Sequence, residues 1–117
     1  MKVLVCGSRH FNDVDYVCNI LGQLQPQPTV IISGGARGVD KAGEIYADGR
    51  ASCVKEVYPA NWKEYGKAAG PIRNKQMLDE GKPDLVIAFL APNSRGTKNM
   101  IDQATRAGIP VQVIAIQ

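Results

Sequence analysis

Residues 29–40 read Thr29-Val30-Ile31-Ile32-Ser33-Gly34-Gly35-Ala36-Arg37-Gly38-Val39-Asp40. Thr29 to Ser33 is an apolar run without alternation, the pattern of a strand buried on both faces. Gly34-Gly35 ends it. A helix follows from about Val39 to Gly49, with Val39, Ala42, Tyr46 and Ala47 on its inward face. Strand, glycine turn and helix in that order form the repeating unit of an α/β protein.

The same unit recurs on either side. Val3-Leu4-Val5-Cys6 is a short apolar run ending in Gly7. Asn12 or Asp13 can cap a helix carrying Val14, Val17, Leu21 and Leu24, and Pro26 and Pro28 end it. Cys53 to Tyr58 alternates, as an edge strand would. Asn61 to Ala69 reads as a loop with a short helical turn. Pro71 suits the first turn of a helix running to about Glu80, with Gly81 as its stop. Asp84 to Leu90 is the third central strand. Thr97 to Ala107 is a helix with Met100, Ile101 and Ala104 inward and Gly108 as C-cap, and Pro110 to Ile116 is the last strand. Five strands and four helices in alternation predict a three-layer, Rossmann-like doubly wound sheet, mainly parallel, in the order 3-2-1-4-5. The expected unit is one domain over residues 1–117, with no repeat, linker or low-complexity segment.

Composition agrees. The chain has 117 residues, 44% hydrophobic and 21% charged, which suits one globular domain with a real core. Its longest apolar run, Leu85 to Ala91, has seven residues, against about 20 for a membrane span. The N-terminus lacks a signal-peptide pattern, so a soluble cytoplasmic protein without a membrane partner is expected. Cys6, Cys18 and Cys53 are odd in number, contain no Cys-x-x-Cys and share the chain with a single histidine, His10. That pattern predicts neither a disulfide framework nor a metal site. Cys6, inside the first strand, reads as a buried thiol.

Net charge is +3 and uneven: residues 1–58 hold six basic and six acidic side chains, residues 59–117 eight and five. The excess is too mild for a protein that coats DNA, but it suits a small anion.

In a 3-2-1-4-5 sheet the chain reverses direction between strands 1 and 4. The crevice at the carboxyl edge there is the default ligand site. Three loops meet at that edge: Gly7-Ser8-Arg9, Ser33 to Asp40, and Pro92 to Lys98. Glycine lets Gly34, Gly35 and Gly38 turn tightly and bring N–H groups near a ligand, and a helix start adds partial positive charge. The plainer alternative is a tight turn with Asp40 stabilising the helix start. Gly96 and Thr97 repeat the logic; alternatively Thr97 is a simple N-cap. The loop is neither a P-loop nor a dinucleotide fingerprint, because the required spacings are absent.

Arg9, Arg37, Arg73 and Arg95 weigh toward a site. A charge-assisted arginine contact contributes about 1.5–3 kcal/mol, against roughly 0.3–1 for the helix dipole. Arginine near a helix start also opposes that dipole, so Arg73 is hard to explain as helix stabilisation. Each arginine could equally be a solvated surface charge. Trp62 and Tyr65, near Lys63 and Lys67, read as core or lid packing, with base stacking as the alternative. His10 reads as an exposed loop histidine.

Together these residues resemble the SLOG superfamily of LOG and DprA-like Rossmann folds, and within it the small YspA-type, YpsA-related branch. Val3 to Arg9 looks like the first strand and loop, and Ile31 to Asp40 the second. Arg73-Asn74-Lys75-Gln76-Met77 is similar to the Glu-Arg-Lys-x-x-Met stretch of LOG enzymes. Asp84 to Thr97 looks like the strand leading into their Pro-Gly-Gly-x-Gly-Thr loop. The resemblance implies a nucleotide-binding frame. LOG enzymes release a base from a nucleoside monophosphate with an arginine and a glutamate. Arg73 matches the arginine. The glutamate position is Met100, and Pro92-Asn93-Ser94-Arg95 replaces the Pro-Gly-Gly. Asp40 is the substitute carboxyl that glycosidic cleavage would need. The catalytic candidates are therefore Arg73 and Asp40.

The expected function is binding of a phosphorylated nucleotide or a nucleotide-derived, ADP-ribose-like ligand, for sensing or sequestration, with no separate cofactor. Gly7, Ser8, Ser33, Gly34, Gly35, Gly38, Gly96 and Thr97 would line the ligand or donate to it. Arg9, Arg37 and Arg73 would neutralise phosphate, and Asp40 and Asn74 would orient the sugar or the arginines. The alternatives are a LOG-like phosphoribohydrolase and a single-stranded nucleic-acid binder; low aromatic content and modest charge weigh against the latter. The resemblance also extends to pairing through outer helix faces, a homodimer.

Overall fold

The central strands are apolar at nearly every position because each face of the sheet carries its own helical layer. The computed structural model describes residues 1–117. The order along the chain is β1 (Lys2–Gly7), α1 (Val14–Gly22), β2 (Val30–Ser33), α2 (Val39–Asp48), β3 (Val54–Val57), a one-turn α3 (Trp62–Tyr65), α4 (Ala69–Gln76), β4 (Leu85–Leu90), α5 (Arg95–Arg106) and β5 (Val111–Ala115). The sheet order is β3-β2-β1-β4-β5, and every pairing is parallel, as expected.

The period-2 alternation of strand side chains divides the core. Val3, Val5, Ile31, Ile87 and Phe89 pack beneath α1 and α2 with Val17, Leu21, Val39 and Tyr46. Leu4, Cys6, Ile32, Val86 and Ala88 pack on the other face beneath α4 and α5 with Met77, Met100 and Ala104. Cys6 is buried, as read. β3 and β5 are the edges, and Val54 is 60% exposed. Asp13 caps α1 by accepting from the Tyr16 N–H at 3.0 Å. No helix is long and apolar enough to cross a membrane.

Several boundaries differ from the sequence reading. α1 ends at Gly22, before Pro26 is reached. α4 begins at Ala69, and its winding continues as a wider turn over Met77–Gly81. The left-handed stop is Lys82, with φ 51°, rather than Gly81. Gly81 is needed for contact instead: a Cβ there would stand 2.9 Å from Ile32 Cδ1. α5 begins at Arg95, two residues before the expected start, and Ser94 at its cap makes no side-chain capping bond.

Gly38 joins the first two loops. Its φ is +75° and ψ is −125°, a region essentially restricted to glycine. A Cβ on it would meet the Arg9 carbonyl carbon at 2.6 Å. The adjacent Val39 N–H donates to the Ser8 carbonyl at 3.2 Å. Gly108 has nearly the same φ, +76°, with nothing within 4 Å of an added Cβ. Gly38→Ala should therefore cost well over 3 kcal/mol, strain and backbone clash together, and Gly108→Ala about 1 kcal/mol. Urea unfolding of the two variants measures both; equal losses would mean that the close approach to Arg9 carries no energy.

Candidate functional site

Where β1 and β4 part at their carboxyl ends, a cavity of about 520 Å³ opens. Gly7, Ser8 and Arg9 form one wall, Asp40 and Ala36 the next, Arg73, Asn74 and Met77 of the α4 segment the third, and residues 91–97 the fourth. Gly7 is glycine because β4 and α2 both crowd it: a Cβ would lie 2.7 Å from the Phe89 carbonyl oxygen and 2.8 Å from Val39 Cγ2. The cavity is positive. Arg9, Arg73 and Arg95 line it, and Asp40 is the one carboxyl side chain among the lining residues. None of the three arginines is in a salt bridge.

Arg73 reaches across from α4 to the β2 loop. Its Nη1 donates to the Gly34 carbonyl at 2.6 Å and its Nε to Asn74 Oδ1 at 3.1 Å. Asn74 in turn donates to the Gly96 carbonyl at 3.2 Å and to Asn99 Oδ1 at 3.1 Å. Gln103 donates to the same Asn99 oxygen and to the Pro71 carbonyl. Asn74 thus orients the arginine, one of the two roles expected of it. Asn99 and Gln103, which the sequence reading passed over, lock α4 to α5 beneath it. Their spacing of four residues on one helix face was the available signal.

Burial holds the Arg73 guanidinium below its ordinary value. Asp40 and Cys6 oppose that effect and Arg9 adds to it. Burial pushes the Asp40 carboxyl up to about 6; the Ala36 N–H and Arg73 hold it down, Glu44 raises it, and the Gly34 N–H lowers it. Burial also raises the Cys6 thiol, with Asp40 adding and Arg73 subtracting. A thiol so raised is not a nucleophile at neutral pH.

The anion donors are not where the sequence put most of them. Gly35 N–H is spent on Ser33 Oγ at 3.1 Å and Ala36 N–H on Asp40 Oδ2 at 3.3 Å. Ser33 is fully buried and donates to Glu44 Oε2 at 2.8 Å, so its hydroxyl faces neither cavity described here. Gly38 also lines neither, being pressed between loops. Gly34, Gly35 and Arg37 line a smaller neighbouring cavity. By contrast, the N–H groups of Gly96 and Thr97 have no backbone acceptor. They lie in the first turn of the twelve-residue α5 and line the main cavity. Thr97 is not the N-cap but a buried first-turn residue. Arg95, which the expected ligand set omitted, lines the cavity because the helix starts earlier than read. Trp62 and Tyr65 are 52% and 45% exposed, not core. His10 is exposed, as read.

Asp40 gives a pH test. Its folded value, about 6, exceeds the ordinary 3.8, so ionising it disfavours the folded state. The stability it contributes is full below about pH 3.8 and is lost as pH rises through 6, a change on the order of 3 kcal/mol. Asp40→Asn removes that dependence. From about pH 4 to about pH 7.5, unfolding free energies should move in the variant's favour by that order. A difference independent of pH would show that Asp40 does not titrate in this window.

Three comparisons bear on kinship. Residues 1–65 match the family described as YspA, cpYpsA-related SLOG, or YAcAr. That segment contains both the Gly7-Ser8-Arg9 and the Gly34–Gly38 loops. The chain is 35% identical to the Gene 61 protein of Mycobacterium phage D29, over 94% of this chain and 93% of that protein. Its fold is similar to the X-ray structure of DNA processing protein A (DprA) from Streptococcus pneumoniae, with a TM-score of 0.75 and 22% identity, covering 99% of this chain and 50% of that one. The chain therefore spans half the length of that structure, and the likeness speaks for the fold alone. With more than half of its residues inside the family match and both crossover loops among them, the chain belongs to the YspA, cpYpsA-related SLOG family.

Proposed function

We propose that the main cavity binds a phosphorylated nucleotide or a nucleotide-derived, ADP-ribose-like small molecule, for sensing or sequestration. One observation carries the reading. Two unpartnered N–H groups at the start of α5 and three guanidinium groups without salt bridges share a cavity with a single carboxyl. A helix N-terminus with free N–H groups favours an anion, and arginine adds paired donors matched to phosphate oxygens. Ser8 and Thr97, which line the same cavity, are the hydroxyl groups assigned in this reading to a second oxygen or a ribose hydroxyl. Asp40, ionised above about pH 6, accepts from a sugar hydroxyl.

Two variants test it. Arg73→Gln should weaken binding of AMP or ADP-ribose between about tenfold and a hundredfold, the size of a charge-assisted hydrogen bond. Gly96→Val should keep the fold, because a Cβ there meets nothing within 4 Å and opens onto free space, yet weaken binding by standing in the first turn of α5 where it lines the cavity. Calorimetry with the folded proteins measures both. Failure of every phosphorylated nucleoside to bind would refute the reading.

A hydrolytic reading rests on Asp40 alone, a carboxyl near 6 in the cavity and therefore able to exchange a proton near neutral pH. It predicts free adenine from AMP, lost in Asp40→Asn. The binding reading predicts no adenine, and chromatography of the incubated nucleotide separates the two.

A further inference from the structure

Behind Arg73 lies a second cavity, of about 350 Å³. It shares Arg9, Ala36 and Arg73 with the main one. Its floor is the Gly34-Gly35 turn, and Pro59, Ala60 and Trp62 close its far side. Gly35 holds this floor against the far wall: its φ is +75°, and a Cβ would come within 3.1 Å of Val57 Cγ1 and 3.9 Å of Pro59. Arg37 joins Arg9 and Arg73 here, and no carboxyl lines the space.

Trp62 is unlike the other walls. It follows Asn61, which caps the one-turn α3 by accepting from the Glu64 N–H at 3.1 Å. The far end of its ring rests by Gly70, where an added Cβ would be 3.5 Å from Cη2. Over half of its surface is nevertheless exposed. A large aromatic is left half-open beside three guanidinium groups, so much of its ring face is unused by the fold. It does supply an apolar face next to charge that neutralises phosphate. A base stacks on such a face with little regard to its identity.

We propose that this cavity is a second subsite, and that the ligand is a two-unit nucleotide. One nucleoside lies in the main cavity, the phosphate bridge passes between Arg9 and Arg73, and a second ring stacks on Trp62. The inference rests on the proposed function and specifies its ligand class. It also separates two forms of that function: a mononucleotide would fill the main cavity and leave Trp62 idle.

Three probes with one shared half isolate the second ring: AMP, ADP-ribose, and two adenosines joined by a pyrophosphate. Trp62 is the only tryptophan, so its emission reports the subsite directly. The double adenosine should quench that emission and bind about five- to a hundredfold more tightly than ADP-ribose, the range expected for one stacked base. Trp62→Ala should erase that gain and leave AMP and ADP-ribose affinities unchanged; Trp62→Phe should retain most of it. Circular dichroism checks that the variants are folded. Equal affinities for ADP-ribose and the double adenosine, insensitive to Trp62→Ala, would overturn the subsite while leaving nucleotide binding intact. Loss of AMP binding in Trp62→Ala would overturn it differently, by placing the first base on Trp62. A ten-nucleotide single strand that outbinds all three probes with a steep salt dependence would replace it with a strand-binding groove. Binding of no probe at all would remove both this inference and the reading beneath it.

Discussion

The site depends on one side chain crossing from one face of the sheet to the edge of the other. Arg73 belongs to α4, beneath the layer of Leu4, Ile32 and Met77, yet its guanidinium ends on the Gly34 carbonyl at the tip of β2. It fits because residue 34 has no side chain: a Cβ there would fall 2.7 Å from Arg73 Cζ and 3.0 Å from Asp40 Oδ2. Glycine at 34 is therefore a matter of room more than of backbone freedom, and its φ is not among the positive ones. Asp40 and Arg73 face each other across that gap without a salt bridge. Each is held away from its ordinary ionisation mainly by burial. Asp40 is buried and Arg73 half-buried, so the burial cost falls mainly on the carboxyl. That imbalance is what the binding proposed above would relieve.

Around that crossing the two halves of the fold do different work. The first half supplies shape. Gly7, Gly35 and Gly38 let β1, β2, β4 and the start of α2 approach closely, and most of the N–H groups freed by the Gly34–Ala36 turn are consumed inside the protein. The second half supplies the open first turn of α5 and two of the cavity arginines, Arg73 and Arg95; Arg9 comes from the first.

The architecture was legible because a parallel sheet covered on both sides leaves a strong trace: Val3–Cys6, Val30–Ser33 and Leu85–Leu90 are apolar without alternation. Helix limits were less so. The starts of α4 and α5 depend on whether the preceding loop closes into a first turn: Ala68 at the first cap has no capping side chain, and Ser94 at the second makes no capping bond. At the site, the residues that converge were readable from glycine and arginine placed after strands. Which N–H groups remain open was not. Gly35 and Gly96 look alike in sequence. Ser33 Oγ reaches back to occupy one, and nothing reaches the other. That outcome turns on side-chain direction, which residue spacing does not encode.

The same geometry bears on what the cavity can do to a ligand. Thr97 and Met100 are three residues apart and share a helix face, but the face rotates as it descends. Thr97 lines the cavity, whereas Met100 is fully buried against Leu4, Val86 and Ala104. A carboxyl at position 100 would enter that apolar layer at several kcal/mol unless something paired with it. Methionine completes the core and leaves the cavity with one carboxyl instead of the two that glycosidic cleavage uses. The donors that line the cavity, on Arg9, Arg73, Arg95 and the first turn of α5, do not depend on what stands at position 100.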